Sequence, residues 1–546
     1  MRRKTVSVKI GDLFIGSNHK IKTQSMTTAS TADTKSSVDE AIRIFKAGGE
    51  LVRFTAPSIK EAKNLENIRN GLKAEGYSKP LVADIHFTPN AAIVASEIVE
   101  KVRINPGNFV DKKKFEIKEY DDETYQEEVK KIEQKFVDLI NSCKKNGTAL
   151  RIGTNHGSLS DRIMNKFGDT PNGMVESAME FLRVCIRENF DQVVLSMKSS
   201  NPIVMIHAYR LLVKVMESEK MYFPLHLGVT EAGDGLDGRI KSALGIGTLL
   251  TEGLGDTIRV SLTEDPEFEI PAAEKIISKI ESASIRKANF NNIRAFSYYK
   301  RETFEVDNIG QENPPIVISE DESIFEENSP DYIFSTKRKN FDLNKKYILQ
   351  SEEWVKNCFK NTFPFFNSVK DYRKSEKKSD KINFINLCFK RIKNTINQSF
   401  NENVVFILDV TGESRHKLIE AIDFFEELNI KNPVILKGQY NWEDFEKTAI
   451  DASIDIGSLF LEGMGNGIWI SSKKNKNKIN ELSFLILQNT RTRIFKTDYI
   501  SCPSCGRTKF DLQKTTSLVK ESTNHLKGLK ISVMGCIVNG PGEMAD

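Results

Sequence analysis

Three cysteines near the end of the chain, Cys502, Cys505 and Cys536, have the spacing of metal or redox chemistry. The first two form a C-x-x-C turn, CPSC, which offers two thiolates to one site, and Cys536 supplies a third. Two residues compete to be the fourth ligand. His525 would give a Cys3His zinc site, and Glu543 would give an oxygen ligand, brought back towards Cys536 by the tight turn Asn539-Gly-Pro-Gly-Glu543. His525 lies in the polar helical stretch SLVKESTNHLKGL and reads better as a surface residue. A carboxylate is held weakly by soft iron and can leave, opening a metal position as catalytic sites require. A plain redox dithiol would leave Cys536 unexplained. The other cysteines, Cys143, Cys185, Cys358 and Cys388, stand alone in periodic segments and read as small buried hydrophobes. An odd total of seven argues against a disulfide framework.

A second constellation is cationic. Arg53, Arg103, Arg151 and Arg259 close four different apolar segments, and Lys198 closes a fifth. Asp84, His86, Asn105, Asn108, Asn155, Glu231 and Ser261 occupy similar positions. Singly, each would be a solvated loop residue. Gathered at one mouth, so many like charges repel unless an anion neutralises them. A diphosphate fits, because guanidinium forks bind phosphate oxygens in pairs. Asp84 and Glu231 then become candidate acid–base groups among the cations.

The elements that would gather these residues are short strands alternating with amphipathic helices. The strand segments are 21–26, 50–57, 80–87, 101–108, 149–157, 192–200, 225–233 and 256–265. Alternation of this kind predicts a parallel sheet, and eight units in the first half of the chain predict a closed (β/α)8 TIM barrel, whose catalytic face is the C-terminal end of the strands. The 546 residues exceed what one core supports. We therefore expect a barrel domain at 1–285, an insert at 286–495 and an α+β metal-binding domain at 496–546. The start, MRRKTVSVKIGDLFIGS, reads as strand–turn–strand, with no signal peptide. GDGLDG (233–238) matches a dinucleotide pattern, but Asp234 and Asp237 would repel a pyrophosphate, so a flexible loop is the better reading.

The insert is richer in Lys, Asn and Phe and carries an internal repeat. GTLLTEGLGDTIRV (247–260) matches GSLFLEGMGNGIWI (457–470), and LHLGVTEAG (225–233) matches FILDVTGES (406–414). Trp469 stands where the first copy has Arg259, and Gly412 where it has Glu231. This predicts a barrel-related spacer that has lost the ligands of the first barrel. Basic and acidic residues nearly balance, 79 against 75, so nothing draws the chain to nucleic acid, and no apolar run is long enough to span a membrane. A cytoplasmic protein is expected.

The whole resembles the 4-hydroxy-3-methylbut-2-en-1-yl diphosphate synthase family of the non-mevalonate (MEP) isoprenoid pathway. The resemblance rests on QSMT (24–27), VADIHF (82–87), RINPGN (103–108), RIGTNHGSL (151–159), SMKSSN (196–201), HLGVTEAG (226–233), EGLGDTIRVSLT (252–263), CPSCGRT (502–508) and GCIVNGPGE (535–543). The insert is similar to that of the family's larger, three-domain form. The resemblance implies an oxidoreductase that opens the ring of 2-C-methyl-D-erythritol 2,4-cyclodiphosphate by two electrons, giving 4-hydroxy-3-methylbut-2-enyl diphosphate and water. It implies a 4Fe-4S cluster on Cys502, Cys505, Cys536 and Glu543, fed singly with electrons by flavodoxin or ferredoxin, with Glu543 yielding its iron to a substrate oxygen. Arg53, Arg103, Arg151, Lys198, Arg259 and Ser261 would grip the diphosphate, and Asn155 would position it. Glu231 would donate the proton, with Asp84 and His86 as further candidates or as orienting groups. The cluster domain would cap the barrel, either of a dimer partner or of its own chain. The family's cluster domain continues past the Glu motif, so residues 496–546 are expected to be an incomplete copy of it. A TIM-barrel transferase acting on a phosphorylated substrate, with a structural zinc site, is the alternative reading.

Overall fold

Strands form where the expected apolar segments lie: Lys22–Met26, Leu51–Thr55, Leu81–Ile85, Lys101–Ile104, Ala149–Asn155, Val193–Lys198, His226–Leu227 and Thr257–Ile258. A computed structural model of the chain describes residues 2–110, 120–282, 298–321, 328–336, 341–342, 344–356, 359–389, 392, 396 and 400–536. Strands from Lys22–Met26 to Val193–Lys198 pair in sequence order, all parallel, and Thr257–Ile258 pairs with both Lys22–Met26 and His226–Leu227. The parallel bridge Leu195↔Leu225 brings the two ends together, so the sheet closes into a (β/α)8 barrel. The segments 225–233 and 256–265 keep ladder pairing over only two residues each. Beyond those pairs the backbone leaves the sheet, so Glu231 and Ser261 lie past the strand ends, at the mouth.

Burial explains the pattern. Leu51–Thr55, Leu81–Ile85 and Lys101–Ile104 are buried at every position, as expected of strands covered on both sides. Apolar positions pack outward against helices such as Thr34–Lys46, whose N-cap Asp33 accepts from the backbone N–H of Ser36. The expected strand–turn–strand at the N-terminus is the antiparallel pair Val8–Ile10 and Leu13–Ile15. Its Val8, Ile10 and Ile15 join Leu51, Val82, Ala149 and Val194 in one core cluster, at the N-terminal ends of the strands. Each fully buried Val, Leu or Ile of this cluster contributes about 1.5–3 kcal/mol. The opposite end is left for polar residues.

The barrel shares one compact unit, Met1–Phe296 with Thr497–Asp546, with the cysteine-bearing segment. In that segment Asp498–Ser501 and Lys530–Val533 pair in parallel, linked through the helix Leu512–Thr523. Ser501 forms a parallel bridge with Ala232, and Thr263 Oγ1 lies 2.8 Å from Ser501 Oγ and donates to the Cys502 carbonyl at 3.0 Å.

Ser297–Lys496 forms the second unit. The expected first boundary, at 285/286, lies outside the described residues. This unit is a closed barrel of eight parallel strands, Ile316–Ser319, Tyr332–Ser335, Tyr347–Gln350, Thr362–Phe366, Asn383–Leu387, Val404–Asp409, Val434–Gln439 and Gly467–Ser471. Strand–helix alternation is faint in its sequence because helices such as Ser351–Lys356 and Val369–Lys374 are only six residues long. The repeat has a physical basis. In both copies a π-helical turn, Ala243–Gly247 or Ser453–Gly457, leads to two glycines with left-handed backbones. These are Gly253 (φ 79°) and Gly255 (φ 118°) in one copy, Gly463 (φ 72°) and Gly465 (φ 111°) in the other.

Candidate functional site

The strand register builds the site row by row. Asp84 is the neighbour of Arg103, and Arg103 of Arg151, across three parallel strands. In-register neighbours project to the same side of a parallel sheet. Arg103 therefore reaches Asp84, donating from Nη1 to Oδ1 at 2.8 Å, and donates from Nη2 to the Gly153 carbonyl at 2.8 Å. Its Nη1 also donates to His86 Nε2 at 2.5 Å. Further towards the mouth, Asn155 is the register neighbour of Lys198. Lys198 needs the space left by Gly228: a β-carbon there would stand 2.7 Å from its Nζ. Arg259 is held by a two-pronged pair with Glu269, Nε to Oε2 at 2.9 Å and Nη2 to Oε1 at 2.8 Å. Arg151 contacts His226 Nδ1 at 3.1 Å.

These side chains line one cavity. Its wall includes Arg53, Asp84, His86, Arg103, Arg151, Asn155, Lys198, Glu231, Arg259 and Ser261 from the barrel, and Cys502, Cys505 and Cys536 from the C-terminal segment. The space between these side chains, counted with its opening to solvent, is about 630 Å³. Of the expected site residues, Glu543 lies outside the described residues, and Asn105 and Asn108 are not on this wall. Asn105 instead turns to Ser158, donating at 2.7 Å, and caps the short helix Pro106–Phe109. His525 is exposed.

The electrostatics are those of an anion receptor. Burial lowers the Arg53 guanidinium to about 9; Asp84 opposes the shift, while Arg259 and Arg103 add to it. Burial, with Arg53, Arg259 and Arg151, pushes the Lys198 ammonium well below its usual range. Burial, then Arg507 and Arg103, drive His86 down to about 3, so the ring is neutral. Asp84 is fully buried, yet Arg103, His86 and Arg53 outweigh burial and hold its carboxyl well below the usual carboxylate range. That places an anion among the cations of the wall. Glu231 is 3% exposed, and its backbone is left-handed, with φ 48°. Its charge bears on the Cys502 thiol, which burial raises to about 11.

On the cysteine side, the Gly535 N–H donates to Cys502 Sγ at 3.3 Å. A hydrogen bond with Cys536 holds the Cys505 thiol below its ordinary range against burial, with help from the Arg507 cation. Among the described residues, no three His, Cys, Asp or Glu side chains gather round a single ion position. Among the polar residues missed from the sequence, two bear on the charges of the site. Glu269 orients Arg259 and is 1% exposed, but nothing in EFEIP marks it. Arg507, which is on the cavity wall, sits in CPSCGRT, where proximity to the cysteines was the available signal.

Comparison with known proteins gives two matching family profiles and a set of close-length relatives. The family profile described as the GcpE TIM-barrel domain matches residues 5–274, and that of the GcpE protein C-terminal domain matches 498–546. The chain is 46% identical over 561 residues to the 4-hydroxy-3-methylbut-2-en-1-yl diphosphate synthase (flavodoxin) of Phocaeicola vulgatus, covering 100% of this chain and 91% of that protein. It is 42% identical over 610 residues to the protein of that name from Leptospira interrogans, covering 100% and 90%. With that from Protochlamydia amoebophila it shares 42% over 596 residues, again covering 100% and 90%.

Proposed function

The chain belongs to the GcpE family, and from that premise we propose that it is the oxidoreductase that opens the ring of 2-C-methyl-D-erythritol 2,4-cyclodiphosphate, giving 4-hydroxy-3-methylbut-2-enyl diphosphate and water in MEP isoprenoid biosynthesis. The observation that carries this reading is one cavity walled by barrel cations on one side and three cysteines on the other. A diphosphate and a redox group could meet there without leaving the protein.

Arg53, Arg103, Arg151, Lys198, Arg259 and Ser261 receive the diphosphate. Arg103 and Arg259 are pre-oriented by Asp84 and Glu269, which removes the cost of ordering two long side chains when substrate binds. Asn155 sits beside Lys198 in register and positions the same end of the substrate. Glu231, on the wall it shares with Cys502, stands to protonate the departing hydroxyl so that it leaves as water. Asp84 and His86 act through Arg103 as orienting groups. Three soft donors on one wall, one sulfur receiving a backbone N–H, suit an iron–sulfur cluster, in which each iron takes one thiolate. Cys502, Cys505, Cys536 and Glu543 would hold such a 4Fe-4S group, which when bound supplies electrons singly at low potential. The relatives' name points to flavodoxin as the donor, with ferredoxin as the other carrier class. The cysteine-bearing part would cap the barrel of its own chain or that of a homodimer partner. We read residues 1–285 as the catalytic barrel, 286–495 as a spacer and 496–546 as the cluster-bearing part. Among the described residues no helix is long and apolar enough to cross a membrane, and we read the site of action as cytoplasmic.

The test is the iron, sulfide and zinc content of protein purified without oxygen, followed by turnover of the cyclodiphosphate with reduced flavodoxin. The expected content is about four irons and four sulfides per chain. About one zinc per chain, with no iron taken up on reconstitution, would overturn the redox reading and favour the zinc-containing transferase.

A further inference from the structure

The loop that carries Cys502 and Cys505 reaches into the barrel's charge network through one cation. Arg507 lies two residues beyond Cys505; its side chain is 15% exposed, and Nη2 stands 3.9 Å from Asp84 Oδ2. Its Nε and Nη1 are buried without a hydrogen-bond partner, and the group also bonds to Cys536. Asp84 is the anion shared by the cations of the barrel. Oδ1 takes Arg103 at 2.8 Å, and Oδ2 faces His86 Nε2 at 3.5 Å and Arg53 Nε at 3.9 Å. Removing either charge of a buried pair leaves the other uncompensated, which costs far more than the pair itself contributes.

The close approach is built into the backbone. A β-carbon on Gly506 would stand 2.6 Å from Thr55 Oγ1 and 2.7 Å from the Ala29 carbonyl, so only glycine lets this loop sit against the barrel mouth. Other contacts hold the base of the segment: Thr263 to Ser501, and Lys241 to Asp498 at 3.0 Å. Arg507 differs from them, since it is the contact whose charge enters the cavity and touches the group that orients the anion ligands.

We propose that Arg507 is a positioning residue that couples the seating of the cysteine-bearing loop to the anion site, acting through Asp84. The proposal rests on the reading above that the barrel cations take a diphosphate. When a phosphate shares the charge of Arg53 and Arg103, which stay in place, the Asp84 carboxylate is less fully neutralised by them and attracts Arg507 more strongly, so the loop is held more firmly. By linkage, a seated loop strengthens anion binding by the same factor.

Amide hydrogen exchange of residues 498–510 in the full chain, purified without oxygen, tests this with and without inorganic pyrophosphate. R507Q is expected to raise the exchange rate roughly tenfold, the order for losing a partly buried charge pair, with R507K in between. D84N should do the same, and the double variant D84N/R507Q should be no faster than the faster single. Pyrophosphate should slow exchange in the unmodified protein and not in R507Q. Exchange in R507Q equal to that of the unmodified protein overturns the proposal. So does a double variant that multiplies the two single effects, or full protection of R507Q by pyrophosphate. If D84N does not fold, R507Q against R507K decides: equal rates in the two refute a role for the charge. If the ligand-free coupling holds but pyrophosphate protects no variant, the link stands and the diphosphate reading of the barrel fails.

Discussion

Glu231 occupies a backbone that its counterpart in the insert gives to glycine. Its φ is 48°, and that of Gly412, at the matching position of the repeat, is 70°. A β-carbon in this region costs roughly 1–2 kcal/mol. Strain kept at a cavity wall is a mark of function, since packing alone would have selected glycine. Glu231→Gly is therefore expected to melt at or above the temperature of the unmodified protein while lowering turnover at least ~100-fold, the size of one acid–base group. Thermal melts and initial rates measured side by side check this, and near-normal turnover would remove Glu231 as the proton donor. His86 makes a second prediction at this scale. Burial, then the Arg507 and Arg103 charges, hold it at about 3, against an ordinary 6.5. The unfolded chain binds a proton near 6.5 that the folded chain refuses until about 3. The resulting stability is complete above about 6.5 and is lost as pH falls towards 3. Urea midpoints between pH 5 and 7.5 should rise with pH, and His86→Gln should flatten the rise. Parallel slopes would mean that folded His86 takes up the proton after all.

Elements, not single residues, explain why so much of the site was readable in advance. A parallel strand buried on both faces is almost entirely apolar, so Arg53, Arg103 and Arg151 stand out inside such runs, and the barrel's geometry supplies a common destination. What could not be read was pairing. Glu269 begins the helix Glu269–Glu281, in a position where a carboxylate usually serves the helix dipole, yet it is turned inward to fix Arg259. Arg507 reaches Asp84 only through the fold of two segments more than four hundred residues apart. Clearance was equally invisible: a glycine in a loop reads as flexibility, whereas Gly228 is a space. A β-carbon there would lie 2.6 Å from the Arg259 carbonyl and 2.7 Å from Lys198 Nζ. Gly228→Ala should therefore displace the ammonium and weaken inorganic pyrophosphate binding by about tenfold, in keeping with the loss of one charge-assisted hydrogen bond. Isothermal titration against Lys198→Ala measures it. Pyrophosphate binding by Gly228→Ala as tight as that of the unmodified protein would refute that account.

The molecule contains two barrels of common pattern but only one anion site is expected, because their centres are filled differently. In the insert the place of Arg259 is taken by Trp469, which is fully buried and packs against Phe334 and Phe365 at centroid distances of 4.7 and 6.0 Å. Its indole N–H donates to Glu320 at 3.1 Å, and Lys437 lies over its ring at 3.8 Å. That cation is already occupied by an aromatic face and by the nearby Glu320 and Asp409 charges. Tyr332, Phe363, Phe365 and Phe384 complete the apolar interior. Nothing among these groups offers a fork to a phosphate, and an anion entering would meet Glu320 and a desolvated hydrocarbon wall. Pyrophosphate titrated into the full chain should therefore bind with a stoichiometry of one, and Arg151→Ala should abolish that binding event while leaving the fold of the insert unchanged. Trp469→Arg should create no second site, since one restored cation lacks both the cross-strand row and the carboxylate partner that orient Arg103 and Arg259. Two binding events in the unmodified chain, or one that survives Arg151→Ala, would show that the insert had kept an anion site and was more than a spacer.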